Sequence, residues 1–522
     1  AGLESSSGMF DLLAPSITSV GTLYDGLDGT PTQSVPQQEE GLEAMLTTAG
    51  FPDAASAAQR VTHWRSGTVR ALRTPAAREA LEAVLPKLID GLGKAPDPLH
   101  AINQFSTIVE RLPSAINLFR LLEARPALLA MLADILCHAP TLAEQLGRRP
   151  HMLDRLIDAS ALDAPGSVEE LASQLRGGET LEDKLDRVRR VVGEMRFALG
   201  VQLLGGVHDA LDVAAGYARI AEAAITVVTD ATISEYERVH GKVPGGELVI
   251  LALGRMGGAE LTHASDLDLI YLFTGDFAAE SDGAKPLGAV HYFNRLAQRV
   301  TNGLSVATAA GPLYDVDTRL RPSGNDGPLS VSLDGFAQYQ REDAWTWEHM
   351  ALTRARPVYG APQARAATQA IIDSVLTAPR DDAKLIADAV KMRGDMAAHK
   401  QPKGPLDVKL SAGGLVDLEF VTHVTQLRTG KGLTPRLSEA IRELVALGLL
   451  DPFMIEAHAL LTRMLVTVRL MAPTLDIPPE ITRPVIARAC GMSEWEGLLA
   501  ELDATRQRVA SAWMAIAAPQ GD

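Results

Sequence analysis

Two aspartates separated by one residue, Asp266 and Asp268, stand at the head of a run of aliphatic and aromatic residues that ends at Phe273. Side chains alternate faces along a strand. A strand beginning at Asp266 therefore puts Asp266, Asp268, Ile270 and Leu272 on one face and Leu267, Leu269, Tyr271 and Phe273 on the other. Like charges this close cost free energy unless a cation lies between them, and carboxylate oxygens suit Mg²⁺. Alone, an Asp-x-Asp pair is a weak signal, because exposed strands often carry one. What precedes it adds weight. Residues 247–253 form a short aliphatic run bounded by Pro244-Gly245-Gly246 and by Gly254, which reads as a buried strand. In the turn that follows, Gly257 and Gly258 let main-chain N–H groups approach a polyphosphate, and Arg255 adds a cation beside them.

A second charged constellation follows in Tyr314-Asp-Val-Asp-Thr-Arg-Leu-Arg-Pro322. On a strand over 313–320, Asp315, Asp317, Arg319 and Arg321 face one way, and guanidinium forks match phosphate oxygens in geometry. Either aspartate could serve as a ligand, and a surface strand with alternating charges would look the same.

These residues need elements to hold them. Residues 1–37 are rich in Ser, Gly, Thr and Pro without periodicity and read as a tail or linker. Residues 38–165 read as a helical domain: Leu81, Val84, Leu85, Leu88, Ile89 and Leu92 recur at helical spacing, as do Ile102, Phe105, Ile108, Val109 and Leu112. Two stretches, 125–134 and 149–158, align residue for residue. Each is expected to be a helix started by a proline, Pro126 or Pro150, rather than part of a repeat array. Residues 166–360 hold the strands with preceding helices, and a helix with Val290, Phe293, Leu296, Ala297, Val300 and Leu304 on its apolar face lies between them. Residues 361–522 read as a C-terminal helical bundle. The expected fold class is α+β, predominantly helical, with a small mixed sheet flanked by helical domains.

Composition narrows the function classes. The 522 residues carry a formal net charge of −16, which disfavours a nucleic-acid partner. The only cysteines, Cys137 and Cys490, lack metal-type spacing and read as core residues in a reducing compartment. The first residues lack a basic start and an apolar stretch, so no secretory signal is expected. The run over 450–475 is broken by Glu456, His458, Arg463 and Arg469, so no membrane span is expected and a cytoplasmic location is. An opening Ala in place of Met suggests the latter part of a longer chain. The histidines show no zinc spacing and no G-x-S-x-G elbow occurs, so hydrolase readings gain no support.

A Gly-Gly pair, seven residues, then Asp-x-Asp between strands resembles the signature of the polymerase-β-type nucleotidyltransferases, which use a third carboxylate on a neighbouring strand. The blocks Gly254-Arg-Met-Gly-Gly258, Ala264-Ser-Asp-Leu-Asp-Leu-Ile270, Val316-Asp-Thr-Arg-Leu-Arg-Pro-Ser-Gly324, Ala344-Trp-Thr-Trp-Glu-His349 and Leu352-Thr-Arg-Ala-Arg356 resemble glutamine-synthetase adenylyltransferase in particular. The likeness covers nearly all of the chain after the tail, and corresponds to the adenylylating half with the central helical regulatory domain. One departure is that the family turn usually reads Gly-Lys-Leu-Gly-Gly, where Arg255 and Met256 stand here.

The resemblance implies Asp317 as the third ligand, so that Asp266, Asp268 and Asp317 are both catalytic and metal-binding and hold two Mg²⁺ ions. It implies ATP as substrate, with Arg255, Gly257, Gly258, Ser265, Arg319, Arg321 and Lys409 at the nucleotide. Relatives carry a Gly-Gly-x-x-Asp-x-Glu run, which implies that Lys409, Asp417 and Glu419 border the nucleotide; Gly413-Gly414 is equally a good turn into an amphipathic helix. Trp345 and Trp347 are expected in the core. The implied activity is AMP transfer from ATP to a tyrosine of glutamine synthetase, with the PII signal protein and glutamine as regulators acting through the N-terminal helices. Two readings stay open beside it: phosphorolytic removal of AMP at the same site, and a regulatory interaction protein with an idle site.

Overall fold

The computed structural model describes residues 35–150, 152–153 and 163–518. Residues 1–34 of the expected tail lie outside it, as does most of the helix expected after Pro150. Residues 35–37 are held: the Arg65 guanidinium donates to the Pro36 carbonyl at 2.8 Å, and Val35 is buried.

The chain divides into two compact units, one up to Ala133 and one from Asp134 onward. In the first, helices α1 (Glu39–Ala49), α2 (Ala54–Arg65), α3 (Pro75–Gly93), α4 (Pro98–Arg111) and α5 (Ile116–Ala124) precede α6 (Pro126–His138), which runs across the division. Asp53, Thr74 and Asp97 accept hydrogen bonds from orphan N–H groups at their helix starts, and Pro75 and Pro98 occupy first-turn positions where no N–H is needed. The apolar stripe of α3 expected from spacing is buried. It belongs to a core that includes Trp64, whose ring meets Phe105 edge-on at 5.4 Å and whose Nε1 donates to Ser106 Oγ at 2.9 Å.

The second unit starts with the end of α6 and contains α7 (Pro140–Arg148), α8 (Val168–Leu175), α9 (Leu181–Leu204) and α10 (Ala210–His240). The sequence places a domain boundary at 165, but α7 already packs with the later helices. Leu142 is fully buried, and a β-carbon at Gly200 of α9 would come within 2.8 Å of its methyl, so the glycine permits the contact.

Next come β1 (Leu248–Ala252), the single helical turn α11 (Gly254–Gly257), β2 (Leu267–Phe273), α12 (Ala289–Ser305), β3 (Val316–Asp317) and β4 (Ser330–Ser332). They are followed by α13 (Leu333–Glu342), α14 (Thr346–Leu352), β5 (Arg356–Tyr359), α15 (Pro362–Leu376), α16 (Asp382–His399) and α17 (Leu415–Thr429). Helices α18 (Leu437–Ala446), α19 (Phe453–Met471), α20 (Arg483–Ala489) and α21 (Trp495–Ala517) complete the described chain.

The sheet is mixed, in the order β3-β2-β1-β5, with β4 also on β2. β1 is antiparallel to β2 and β5, while β3 and β4 run parallel to β2. Both faces are covered, which explains why β1 and β2 read as continuous apolar runs. The period-two split holds. Ile270 and Leu272 join Val249 and Leu251 in a core shared with Phe336, Val416 and Phe420, whereas Tyr271 bonds to Thr301 and Phe273 stacks on Phe293 at 4.7 Å, both on α12. Helices α15 to α17, expected in a C-terminal bundle packed against this part of the chain, share the core of the sheet.

Three local expectations are corrected. Val290 of α12 is exposed, and Tyr292 takes the buried position in that turn. Cys137 is half-buried rather than a core residue, whereas Cys490 is buried against Met464. The strand expected over 313–320 spans only Val316–Asp317: the Arg319 N–H turns back onto Asp317 Oδ1 at 2.9 Å and Arg321 N–H onto the Thr318 carbonyl at 3.2 Å, which closes a turn. Among the described residues, no single helix is long and apolar enough to cross a membrane.

Candidate active site

The turn after β1 and the starts of β2 and β3 meet at one edge of the sheet. In the parallel pairing of β2 with β3, Asp268 lies directly opposite Asp317. Asp266 immediately precedes β2. One oxygen of each of the three carboxylates lies within 4.8 Å of the others. Asp315 is not in this cluster; its carbonyl accepts the Leu267 N–H at 2.9 Å, and its side chain is exposed.

The α11 turn begins at Gly254, whose φ of +55° favours glycine. A β-carbon there would also fall 2.3 Å from Asp268 Oδ2, so the bare glycine is what lets the carboxylate lie against the turn. Gly257 and Gly258 are bare for a different reason. A β-carbon at Gly257 would fall 1.9 Å from the Arg354 carbonyl oxygen, so internal packing already requires that glycine, whereas one at Gly258 would fall 2.4 Å from Arg354 Nη2 and would displace the guanidinium.

Electrostatics set the three carboxylates apart. Burial, then the charges of Asp266 and Asp317, push the Asp268 carboxyl up to about 6 against the pull of Lys409 and Arg354. Asp317 is held below the usual range, chiefly because the Arg319 guanidinium forks it, with Nε 2.9 Å from Oδ2 and Nη2 closing the second bond. Around them lie buried cations. Burial and then the Arg255 charge press the Lys409 ammonium below its usual range, against the pull of Glu419, Asp266 and Asp268. Arg354 donates to Glu419 at 2.7 Å and lies 3.9 Å from Glu260, yet its Nε and Nη2, like Nε of Arg255, are buried without a hydrogen-bond partner. Burial favours protonation of Glu260, but the hydrogen bond and charge of His458, then Arg354 and Arg255, outweigh it and hold the carboxyl at about 2.

Not every residue expected at the nucleotide points there. Ser265 Oγ is engaged with the backbone N–H and hydroxyl of Thr262, both at 2.9 Å, in the loop leading to Asp266. Arg319 and Arg321 do not share a strand face with Asp317, because the strand ends there. Arg321 instead bonds the Thr318 carbonyl at 2.9 Å inside its own loop. Asp417 is buried and pairs with Arg393 and the Gly413 N–H, securing the turn into α17, while Glu419 reaches the site through Arg354. Trp345, expected in the core, is 68% exposed, and Trp347 is half-buried.

Sequence reasoning missed Arg354 and Arg196. Arg354 sits in Arg-Ala-Arg just ahead of β5, where nothing in the spacing distinguishes it from its neighbour Arg356, which pairs with Glu222 at 2.7 Å. Arg196 lies on α9, remote in sequence. It donates to the Leu313 carbonyl at 3.1 Å and to the His263 carbonyl, and so ties together the loops that deliver Asp317 and Asp266.

The donor set fits a divalent cation: three carboxylate oxygens converge, and one carboxyl is raised toward protonation by burial and then by the charges of the other two. Partnerless nitrogens on Arg255 and Arg354 fit an anion close by. Fold and site thus define an α+β protein with three converging carboxylates and arginines behind them at a sheet edge. Residues 129–371 match the family model of glutamate-ammonia ligase adenylyltransferase, and residues 384–516 match that of GlnD PII-uridylyltransferase. The first match starts close to where the second compact unit begins.

Curated relatives agree. A bifunctional glutamine synthetase adenylyltransferase/adenylyl-removing enzyme from Brucella suis is 37% identical over 481 residues, 89% of this chain and 49% of the relative. Proteins of the same name from Agrobacterium fabrum and Rhizobium meliloti are 40% and 38% identical, over 73% and 80% of this chain and 39% and 43% of their own lengths. The chain belongs to the glutamate-ammonia ligase adenylyltransferase family, and it spans about half the length of the curated relatives it matches.

Proposed function

We propose that this chain transfers AMP from ATP to a tyrosine of glutamine synthetase, releasing pyrophosphate and lowering that enzyme's activity. The observation that carries this reading is the meeting of Asp266, Asp268 and Asp317 at one sheet edge, with Asp268 and Asp317 in direct register and partnerless arginine nitrogens behind them. The core that holds them is read as polymerase-β-type. Asp266, Asp268 and Asp317 would hold two Mg²⁺ ions, which when bound neutralise charge on the α-phosphate and align the attacking and leaving oxygens.

The chain's own residues do the rest. Lys409, Arg255 and Arg354 supply positive charge for the phosphates, and exposed Arg319 is free to exchange the Asp317 carboxylate for a phosphate oxygen. The acceptor tyrosine Oη forms the new bond to the α-phosphorus as the bond to the β-phosphate oxygen breaks. A tyrosine hydroxyl has an ordinary pKa of about 10, so its proton needs an acceptor, and Asp317, once released by Arg319, takes it. Because Asp315 lies outside the cluster, Asp317→Asn should abolish labelling of glutamine synthetase whereas Asp315→Asn should leave most of it; the reverse order would overturn this assignment.

Regulation by PII and glutamine belongs to the same reading. It is supported by the likeness of residues 384–516 to a PII-uridylyltransferase and by the absence of site residues from the described part of the first unit. The work is placed in the cytoplasm, where ATP and glutamine synthetase meet. A chain lacking residues 1–133 should still transfer AMP but lose its response to PII; an undiminished response would place the sensor in the C-terminal helices.

A further inference from the structure

One buried guanidinium nitrogen stays unpaired although a carboxylate lies almost within its reach. The Arg354 side chain is 5% exposed, and its Nη1 donates to Glu419 Oε1 at 2.7 Å. Its Nη2 has no hydrogen-bond partner, and Glu260 Oε2 stops short of it at 3.9 Å, beyond hydrogen-bond range. Leaving such a donor unpaired costs free energy, so something must hold the carboxylate off.

The oxygen that stops short is already engaged. Glu260 Oε2 lies 3.2 Å from His458 Nε2 of α19. Glu260 is ionised and an ionised carboxylate only accepts hydrogen bonds, so Nε2 carries the proton and donates. His458 and Arg354 therefore compete for one oxygen, and His458 has it. What Arg354 is spared for follows from its position. Its guanidinium lies against Gly258, at the end of the α11 turn whose first residue, Gly254, abuts the Asp268 carboxylate. From Gly254 to Gly258 the helix rises only about 6 Å. Paired with both Glu419 and Glu260, Arg354 would have its donors used up beside this turn; with Glu260 held on His458, a donor stays open to an anion there.

We propose that His458 is a positioning residue for nucleotide binding: by holding the Glu260 carboxylate it keeps Arg354 unpaired for the phosphates of a nucleoside triphosphate at the glycine turn. The inference rests on the reading that this chain uses a nucleoside triphosphate, and it brings α19, remote in sequence from the turn, into the binding of the phosphates.

The test is equilibrium binding of inorganic tripolyphosphate and ATP to the full chain with Mg²⁺, with thermal denaturation to check that each variant folds. His458→Ala frees Glu260 to close on Arg354 and should weaken both ligands on the order of tenfold; tripolyphosphate has no base, so a shared loss belongs to the phosphates. His458→Gln, which keeps a donor for Oε2, should bind nearly as wild type does. Glu260→Gln should bind tripolyphosphate more tightly and, added to His458→Ala, should restore what that change removes. A merely structural role predicts the opposite, because a second substitution in the same buried pair would deepen the loss. Unchanged binding in His458→Ala, equal weakening in His458→Gln, or a double variant no better than His458→Ala would overturn the proposal. Where His458→Ala does not fold, Glu260→Gln decides, and weaker binding of tripolyphosphate overturns it. Wild-type chain that binds neither ligand would instead defeat the underlying functional reading, so the two failures are distinguishable.

Discussion

Replacing Asp268 with asparagine should make the cation-free protein more stable while removing its response to cations. In the folded chain the Asp268 carboxyl is raised from an ordinary 3.8 to about 6 by burial and by its two carboxylate neighbours, so ionising it at pH 7 works against folding. The cost is absent below about pH 4, grows as pH rises through 6 and is complete above it. A rise of this size corresponds to about 3 kcal/mol, and partial exposure of the side chain reduces this to about 1–2 kcal/mol. For a unit the size of residues 134–522, an unfolding entropy of about 2.1 cal/mol/K per residue turns this into a rise in Tm of about 1–2 °C. The assay is thermal denaturation of wild type and Asp268→Asn in EDTA and in excess Mg²⁺. Wild type should gain about 1.4 kcal/mol when Mg²⁺ is tenfold above its Kd, and the variant should gain little. A variant less stable than wild type in EDTA, or stabilised by Mg²⁺ to the same extent, would refute the argument that uncompensated negative charge at this sheet edge is waiting for a cation.

Other consequences can be checked separately. Arg319→Ala removes the fork that holds Asp317, so cation binding without nucleotide should tighten while KM for ATP rises; weaker cation binding would show that the fork orders Asp317 rather than competing for it. Gly257→Ala places a methyl against the Arg354 and Ala252 carbonyls and should cost about 1–3 kcal/mol by urea denaturation; unchanged stability would mean that the turn relaxes easily. His263 is buried beside Arg196, burial being the larger cause, and its pKa falls to about 3. The unfolded chain therefore takes up a proton below 6.5 that the folded chain refuses. Between pH 7 and 5 this should remove about 2 kcal/mol of stability, a loss that His263→Gln should not show; parallel pH profiles would contradict it.

How much of this is legible in the sequence depends on whether one element or several must be read together. The β1 and β2 runs and the Asp-x-Asp pair are local patterns, and the structure forms both strands within a residue or two of their expected bounds with the expected faces. The helix stripes of the first unit are equally legible, because 3.6-residue spacing needs no knowledge of partners. Period two fails over 313–320 because Asp317 captures its own neighbour's N–H and guanidinium, a side-chain turn that competes with the strand and leaves Arg321 occupied inside its loop. Trp345 departs from expectation because size and apolarity favour burial, whereas a hydrogen-bonded helix start holds this indole outward. Arg354 and Arg196 are invisible in the sequence, since their roles arise from contacts at long sequence separation: Arg354 with α17 and the glycine turn, and Arg196 with two loops that only the fold brings together.

The central claim is AMP transfer at the three-carboxylate cluster. Its most direct measurement is incubation of the chain with glutamine synthetase, Mg²⁺ and ATP labelled at the α-phosphate, followed by peptide mapping and assay of pyrophosphate. The account predicts label on a tyrosine of glutamine synthetase, one pyrophosphate released per label, and loss of both with Asp268→Asn. Absence of label together with phosphate-dependent release of ADP from adenylylated glutamine synthetase would show that the site runs in the opposite direction, and full labelling by Asp268→Asn would contradict the site itself.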